Sequence, residues 1–429
     1  MKSYRKILFI FLIGCLFLPL IQSKIHLLPL KKLSGAYILT DDTTFTAQGW
    51  FSGKFQAHKE NYLRDTFGLR NLFIRINNQL EYYLFKKPHA ADIIAGKNGE
   101  FYGKDYVFAY TGQDYIGEDN IRKRINELVK IQKFLASRHK LFILIFAPSK
   151  ARLNRENLPD EFKYSKNNNY ELYAKLAPEA GLNVIDFNSY FMQLKGSSRY
   201  PLYPKKGTHW SFFGACVAAD SIITYIEDKK HIKMFHTNWK NIIPEEANGD
   251  ELELENEMNL LLPIPRETMG HPQLAYPQDS TSIKPSLLYV GDSYFWGLTV
   301  HYNFWNPFSV IYYYKYFSNV YTSGSSVVTD VNDGDFLTQI KNSDIIILES
   351  TETKLPNLGW DFTDAACRVL GDDTAAKNTF NNKVLAKRNE MKQNPDLMKT
   401  IAEKAKTNNL PVDSMLTLDA IWLVQHQKN

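Results

Sequence analysis

The stretch Leu287-Leu288-Tyr289-Val290-Gly291-Asp292-Ser293-Tyr294 decides how the rest of the chain is read. Four apolar residues run into Gly-Asp-Ser, and Phe295 and Trp296 follow. A short apolar run closed by a small residue predicts a buried strand of an α/β sheet. Gly291 permits a tight turn, which sets Ser293 at the carboxyl end of the strand, where such sheets hold their ligands. A serine there is a nucleophile if a histidine reaches it, and otherwise a helix N-cap. The histidine that the sequence offers is His209, in Lys206-Gly207-Thr208-His209-Trp210-Ser211. Taken alone, beside Trp210, it reads as a packed histidine.

Working outward, three further apolar runs read as strands: Leu141–Phe146, 183–186 and 345–348. Helical spacing lies between them. Ile121, Ile125, Leu128, Val129 and Leu135 share one face, and Ala215, Ala218, Ala219, Ile222, Ile223 and Ile226 share another. Helices alternating with short apolar strands predict a mainly parallel sheet covered on both faces, from about residue 116 to 370. A polar, acidic connection, 245–257, precedes the Ser293 strand. Ahead of this body, 36–115 reads as a lead-in. It holds an amphipathic segment with Leu63, Phe67, Leu72, Ile74, Ile76, Leu80 and Leu84 at roughly helical spacing, then a strand-turn-strand over 92–102. Residues 371–429 are Lys-, Asn- and Glu-rich with helical spacing.

The start of the chain reads as an export signal. Lys2, Arg5 and Lys6 precede an apolar run from Ile7 to Ile21. At 15 residues the run is short against the roughly 17–25 of a full span. It is expected to be an uncleaved anchor or a signal peptide within residues 1–35. Leu12-Ile13-Gly14-Cys15 also has the look of a lipobox, which would lipidate Cys15 instead. Either way the body is exported, and the positive charge puts the N-terminus in the cytoplasm; the expected location is the periplasm or cell envelope, anchored in the inner membrane by the N-terminal segment, with a lipoprotein as the alternative. A net charge of +5 over 429 residues without a dense basic block gives no support for nucleic-acid binding. Three cysteines make neither a disulfide framework nor a metal spacing.

These motifs together resemble the circularly permuted SGNH hydrolase-like domain of the alginate O-acetyltransferase (AlgX/AlgJ-like) family, over about residues 90–370. Ala147-Pro148-Ser149-Lys150 resembles that family's Pro-Ser-Lys stretch, Thr208-His209-Trp210 its Asp-Thr-His-Trp motif, and Gly291-Asp292-Ser293 its nucleophile motif. The His motif precedes the Ser motif, as the permutation requires. The resemblance implies a flavodoxin-like α/β sheet with helical additions at both ends. It also implies catalysis by Ser293 and His209 through an acetyl-enzyme, with no cofactor and no metal. The acceptor would be an exopolysaccharide hydroxyl, and the acetyl donor would act through a membrane-bound O-acyltransferase. The amide of Ser293 and a donor from the loop around Gly324 are expected to hold the oxyanion, with Trp210 assigned to the same substrate site.

One position departs from the pattern. The family's Asp, two residues before the histidine, is Gly207 here. An acid there fixes the imidazole tautomer, and its loss costs a serine protease about 10⁴-fold in rate. Three readings stay open. Another carboxylate takes its place, with Asp186 and Glu349 as candidates because each ends a predicted strand; a backbone carbonyl orients His209; or the site is weak and the chain is a polysaccharide-binding scaffold. Transfer and plain ester hydrolysis share one site chemistry and are not separated by sequence.

Overall fold

The computed structural model describes residues 2–35, 38–277, 279, 281–370, 375–392, 394–408 and 410–426. Its strands, in chain order, are β1 (Ile93–Ala95), β2 (Phe101–Gly103), β3 (Leu141–Phe146), β4 (Val184–Asp186), β5 (Asn238–Glu246) and β6 (Thr268–Ala275). They continue with β7 (Leu287–Gly291), β8 (Ile311–Lys315), β9 (Asn319–Thr322), β10 (Val328–Asp330) and β11 (Ile345–Ser350). Seven of them form one sheet in the order β10-β9-β8-β7-β11-β3-β4. The five from β8 to β4 are parallel, and β9 and β10 are antiparallel. This is the mainly parallel sheet that the alternating runs predict, in the SGNH-hydrolase-like form that the resemblance implies.

The apolar runs are continuous because both faces are covered. Successive residues of a strand point to opposite faces. Ile143, Ile145, Tyr289, Tyr313 and Ile347 therefore join Phe187, Trp210 and the helix Phe212–Lys230 in one core layer. Phe142, Leu144, Leu288, Val290, Ile346 and Leu348 meet the helices Glu118–Ala136, Asn169–Glu179 and Phe362–Leu370 in the other. The chain leaves β3 toward β4 but leaves β7 toward β8, in opposite directions along the sheet. Ligands of open α/β sheets sit outside the carboxyl ends at such a divergence.

Between the helix Phe212–Lys230 and β7 the chain makes an excursion. Strands β5 and β6 pair as a hairpin, and between them a turn, Gly249–Leu252, leads into a short helix, Glu253–Glu257. The acidic connection of the sequence is thus a structured insert.

The N-terminal region departs from its expectation twice. The first helix runs Lys2–Ile25, and its stretch Tyr4–Ile25 is long and apolar enough to cross a membrane; the apolar run counted from sequence is shorter because it stops at Ile21. The amphipathic segment is two helices, Lys54–Thr66 and Arg70–Phe85, and the second is inverted. It buries Arg75, Asn78 and Gln79, while Phe73, Leu80, Leu84 and Phe85 are exposed. The buried polar groups have partners in the insert. Arg75 donates to the carbonyl of Leu260 (2.9 Å), Asn78 donates to that of Met258 (2.9 Å), and Gln79 accepts from the amide of Leu262 (2.8 Å). At the other end, helices Ala375–Lys392, Pro395–Thr407 and Val412–His426 share a small cluster that includes Val384, Met391, Ile401 and Leu416.

Candidate active site

Strand β7 delivers Ser293 through a turn that admits little variation. A Cβ on Gly291 would lie 2.5 Å from Glu349 Oε2 and 2.7 Å from the Tyr289 ring, so only glycine fits. The amide of Asp292 donates to Glu349 Oε2 (3.0 Å). The Asp292 carboxylate accepts from the amide of Tyr294 (3.0 Å) and from both the amide and the hydroxyl of Thr351 (3.2 and 2.7 Å). Ser293 then stands at the start of the helix Tyr294–Tyr302, with its side chain not engaged in capping.

Two devices seat the loop that carries His209. From below, buried Lys150 donates to the carbonyls of Pro204 (3.2 Å), Lys205 (3.1 Å) and Gly207. From the side, Tyr294 donates its hydroxyl to the carbonyl of Thr208 (2.9 Å), and its ring lies 4.8 Å from the imidazole. The residue after the serine thus buttresses the histidine.

His209 Nε2 lies 2.8 Å from Ser293 Oγ. Its Nδ1 faces Glu253, at 2.9 Å from Oε1 and 2.8 Å from Oε2. Glu253 opens the short helix of the insert and also accepts from the amide of Thr208 (3.1 Å). Burial favours the neutral forms of both groups. The hydrogen bond and charge between them outweigh it, raising the imidazole pKa and lowering that of the carboxyl.

Glu253 corrects the expectation for the orienting acid. Asp186 ends β4, three strands from β7 or roughly 14 Å at ordinary strand spacing. It caps the helix Phe187–Leu194 and accepts from Tyr170 (2.8 Å). Glu349 is fully buried beneath the serine turn, and burial, with the charge of Asp292, pushes its carboxyl well above the usual range. It braces Asp292 and does not meet His209. Gly207 has a physical account as well. A Cβ there would lie 2.7 Å from Pro204 Cγ and 3.0 Å from the carbonyl of Asp250. The insert presses on the position where the family pattern has its acid, and supplies an acid from the other side. The sequence signal was the acidic run 245–257, but nothing in it singles out one of its several glutamates.

Two more expectations are corrected. Gly324 follows β9, which runs antiparallel to β8 and carries the chain back to the amino end of the parallel strands; Ser323 donates there to the carbonyl of Ile311 (3.0 Å). That is the opposite edge of the sheet from Ser293. Trp210 is 3% exposed and packs against Phe187 and Tyr294, so it is core and not a substrate platform. Tyr316, which nothing in the sequence singles out, stands beside the serine turn. Burial raises its phenol pKa above the ordinary value, and the neighbouring Ser293 draws it down. It sits in the left-handed region (φ 51°), its amide donating to the carbonyl of Gly291 (2.9 Å) and its ring edge-on to Trp360. Among the described residues no group of three or more His, Cys, Asp or Glu could hold a metal ion.

The fold is of the SGNH-hydrolase-like class. Residues 93–304 match the family described as "SGNH hydrolase-like domain, acetyltransferase AlgX". Similar solved structures include the O-acetyltransferase domain of Pseudomonas putida AlgJ, at 18% identity and TM-score 0.41, covering 62% of this chain and 92% of that one. Pseudomonas aeruginosa AlgX is 15% identical with TM-score 0.37, covering 60% of this chain and 55% of that one, so the match spans about half of AlgX. Bacillus cereus PatB1 is 12% identical with TM-score 0.38, covering 61% of this chain and 96% of that one. No curated protein matches the chain in sequence.

Proposed function

We propose that this protein is a membrane-tethered O-acetyltransferase acting outside the cytoplasm on polysaccharide hydroxyls, with Ser293, His209 and Glu253 as its catalytic triad. The observation that carries the reading is the unbroken chain Ser293 Oγ, His209 Nε2, His209 Nδ1, Glu253, with hydrogen-bond distances throughout.

The chemistry follows from that chain. Glu253 holds Nδ1 protonated, which leaves Nε2 free to take the Ser293 proton. Ser293 Oγ attacks the acetyl carbonyl, and the amide of Ser293 and the hydroxyl of Tyr316 receive the oxyanion. His209 gives its proton to the departing group, and an acetyl-enzyme remains. A sugar hydroxyl then loses its proton to His209 and attacks the acetyl carbon; the acetyl passes to the sugar and Ser293 recovers its proton. If water takes the place of the sugar the same cycle is that of an esterase. A second protein, a membrane-bound O-acyltransferase, would bring the acetyl group to the outer face. The intact carboxylate on His209 favours an enzyme over a non-catalytic scaffold. The apolar first helix, with Lys2, Arg5 and Lys6 before most of it, supports a tether with the body exported.

The test is hydrolysis of an acetylated chromogenic ester by the full chain in detergent. Acetate release that disappears in both Ser293→Ala and His209→Ala is expected. Equal background in all three proteins, together with unchanged polysaccharide acetylation in cells carrying Ser293→Ala, would overturn the reading.

A further inference from the structure

The inverted helix Arg70–Phe85 turns Arg75, Asn78 and Gln79 inward and Phe73, Leu80, Leu84 and Phe85 outward, the reverse of a soluble helix at those positions. With Lys54–Thr66 it forms a corner, and the two helices flank an open groove lined by Leu63, Phe67 and Phe73, which are 57%, 41% and 50% exposed. Three basic residues, Lys59, Arg64 and Arg70, and one acid, Glu60, line the same groove; Lys59 is paired with Asp42 (2.6 Å) and Arg70 stands 3.9 Å from Asp65. The position of this corner is set by the first helix. A Cβ on Gly68 would lie 2.3 Å from the carbonyl oxygen of Pro19 and 2.4 Å from the amide of Ser23, so the corner is backed directly onto that helix.

This contact fixes a depth. The apolar stretch Tyr4–Ile25 spans about 33 Å at 1.5 Å per residue, close to the roughly 30 Å of a bilayer core. Pro19 and Ser23 are six and two residues from its end, hence about 9 and 3 Å inside it. Amphipathic helices that lie on membranes settle about 5–10 Å into the boundary between headgroups and acyl chains. The corner is therefore held at the level where such helices lie, with basic side chains able to reach the headgroups along their apolar stems.

We propose that this corner docks into the outer interfacial layer of the membrane that the first helix crosses, so that the body lies on the lipid surface instead of swinging from a flexible tether. The inference rests on the tethered reading given above, and the experiment separates the two. In full-length protein with Cys15→Ser, Cys216→Ala and Cys367→Ser, single cysteines replace Leu12, Leu63, Phe73 or Ser197 and carry an environment-sensitive fluorophore. Each protein is placed in nanodiscs of phosphatidylcholine and phosphatidylglycerol, with lipids spin-labelled on the acyl chain. Positions 12, 63 and 73 are expected to lose most of their emission, and position 197 none. Quenching at 12 with full emission at 63 and 73 would overturn the docking alone, leaving the groove clear of lipid or covered by protein. Full emission at 12, 63 and 73 would overturn the tether and the docking with it.

Discussion

Ser293 and Glu253 are the two ends of one hydrogen-bonded chain, yet they are held in opposite ways. The serine is fixed by the middle of the sheet: Gly291, Glu349 and Thr351 enclose its turn, and all of these lie on β7 or at the end of β11. The glutamate arrives from an excursion outside the sheet. Its seat consists of the amide of Thr208, a hydrogen bond from the amide of Leu254 to the carbonyl of Lys206 (2.9 Å), and the helix Arg70–Phe85 behind it. The nucleophile belongs to the architecture, whereas the acid has been recruited by an insertion.

The largest effects should come from the architectural end. Ser293→Ala is expected to lower kcat by on the order of 10⁶-fold, as loss of a triad serine does, with thermal stability little changed. A small loss would mean that the serine is only a cap. Glu253→Gln is expected to cost about 10⁴-fold, read as kcat/KM on the ester, because the imidazole then loses its preferred tautomer. Adding Gly207→Asp to a Glu253→Ala protein should not restore activity, since the new side chain meets Pro204 and the insert. Rescue would show that the older acid position is still usable. Tyr316→Phe, which removes only a hydroxyl, should lower kcat by about 10²-fold to 10³-fold if that hydroxyl meets the oxyanion, with KM little moved.

The smallest effect is a displacement on the pH axis. The active form of His209 is the neutral one, and Glu253 stabilises the charged one, so the folded pKa lies above 6.5. Activity should therefore rise with pH through an ionisation above that value, measured as kcat/KM. In Glu253→Gln the residual activity should show the same limb at lower pH. An unmoved limb would mean that the coupling between the two groups is absent in solution.

Much of this is legible in the amino-acid sequence. The strands announced themselves through apolar runs, because a parallel sheet buried on both faces leaves no polar alternation to confuse the reading. Gly291-Asp292-Ser293 was legible because its turn is local. Glu253 was not, because its role depends on a hairpin returning it to His209 across 44 residues, and neighbouring glutamates carry the same chemistry. Gly207 was the one local trace, an absence whose explanation is steric. Gly324 misled for a topological reason: a loop after a strand faces the site only if that strand runs parallel to its neighbours, and β9 does not.

The grip of Arg75 and Asn78 on the carbonyls of Leu260 and Met258 bears on how a soluble version of this protein should be cut. The connecting chain joins the same knot, since Arg75 also reaches the carbonyl of Lys32 (2.7 Å) and Ser34 donates to Asn259 (2.7 Å). A fragment beginning at the sheet domain, after Phe85, would strip the partners from these groups just beyond the helix that presents Glu253. Such a fragment could fold around its serine and still misplace its acid. A boundary before Lys32 keeps the whole knot and removes only the apolar helix.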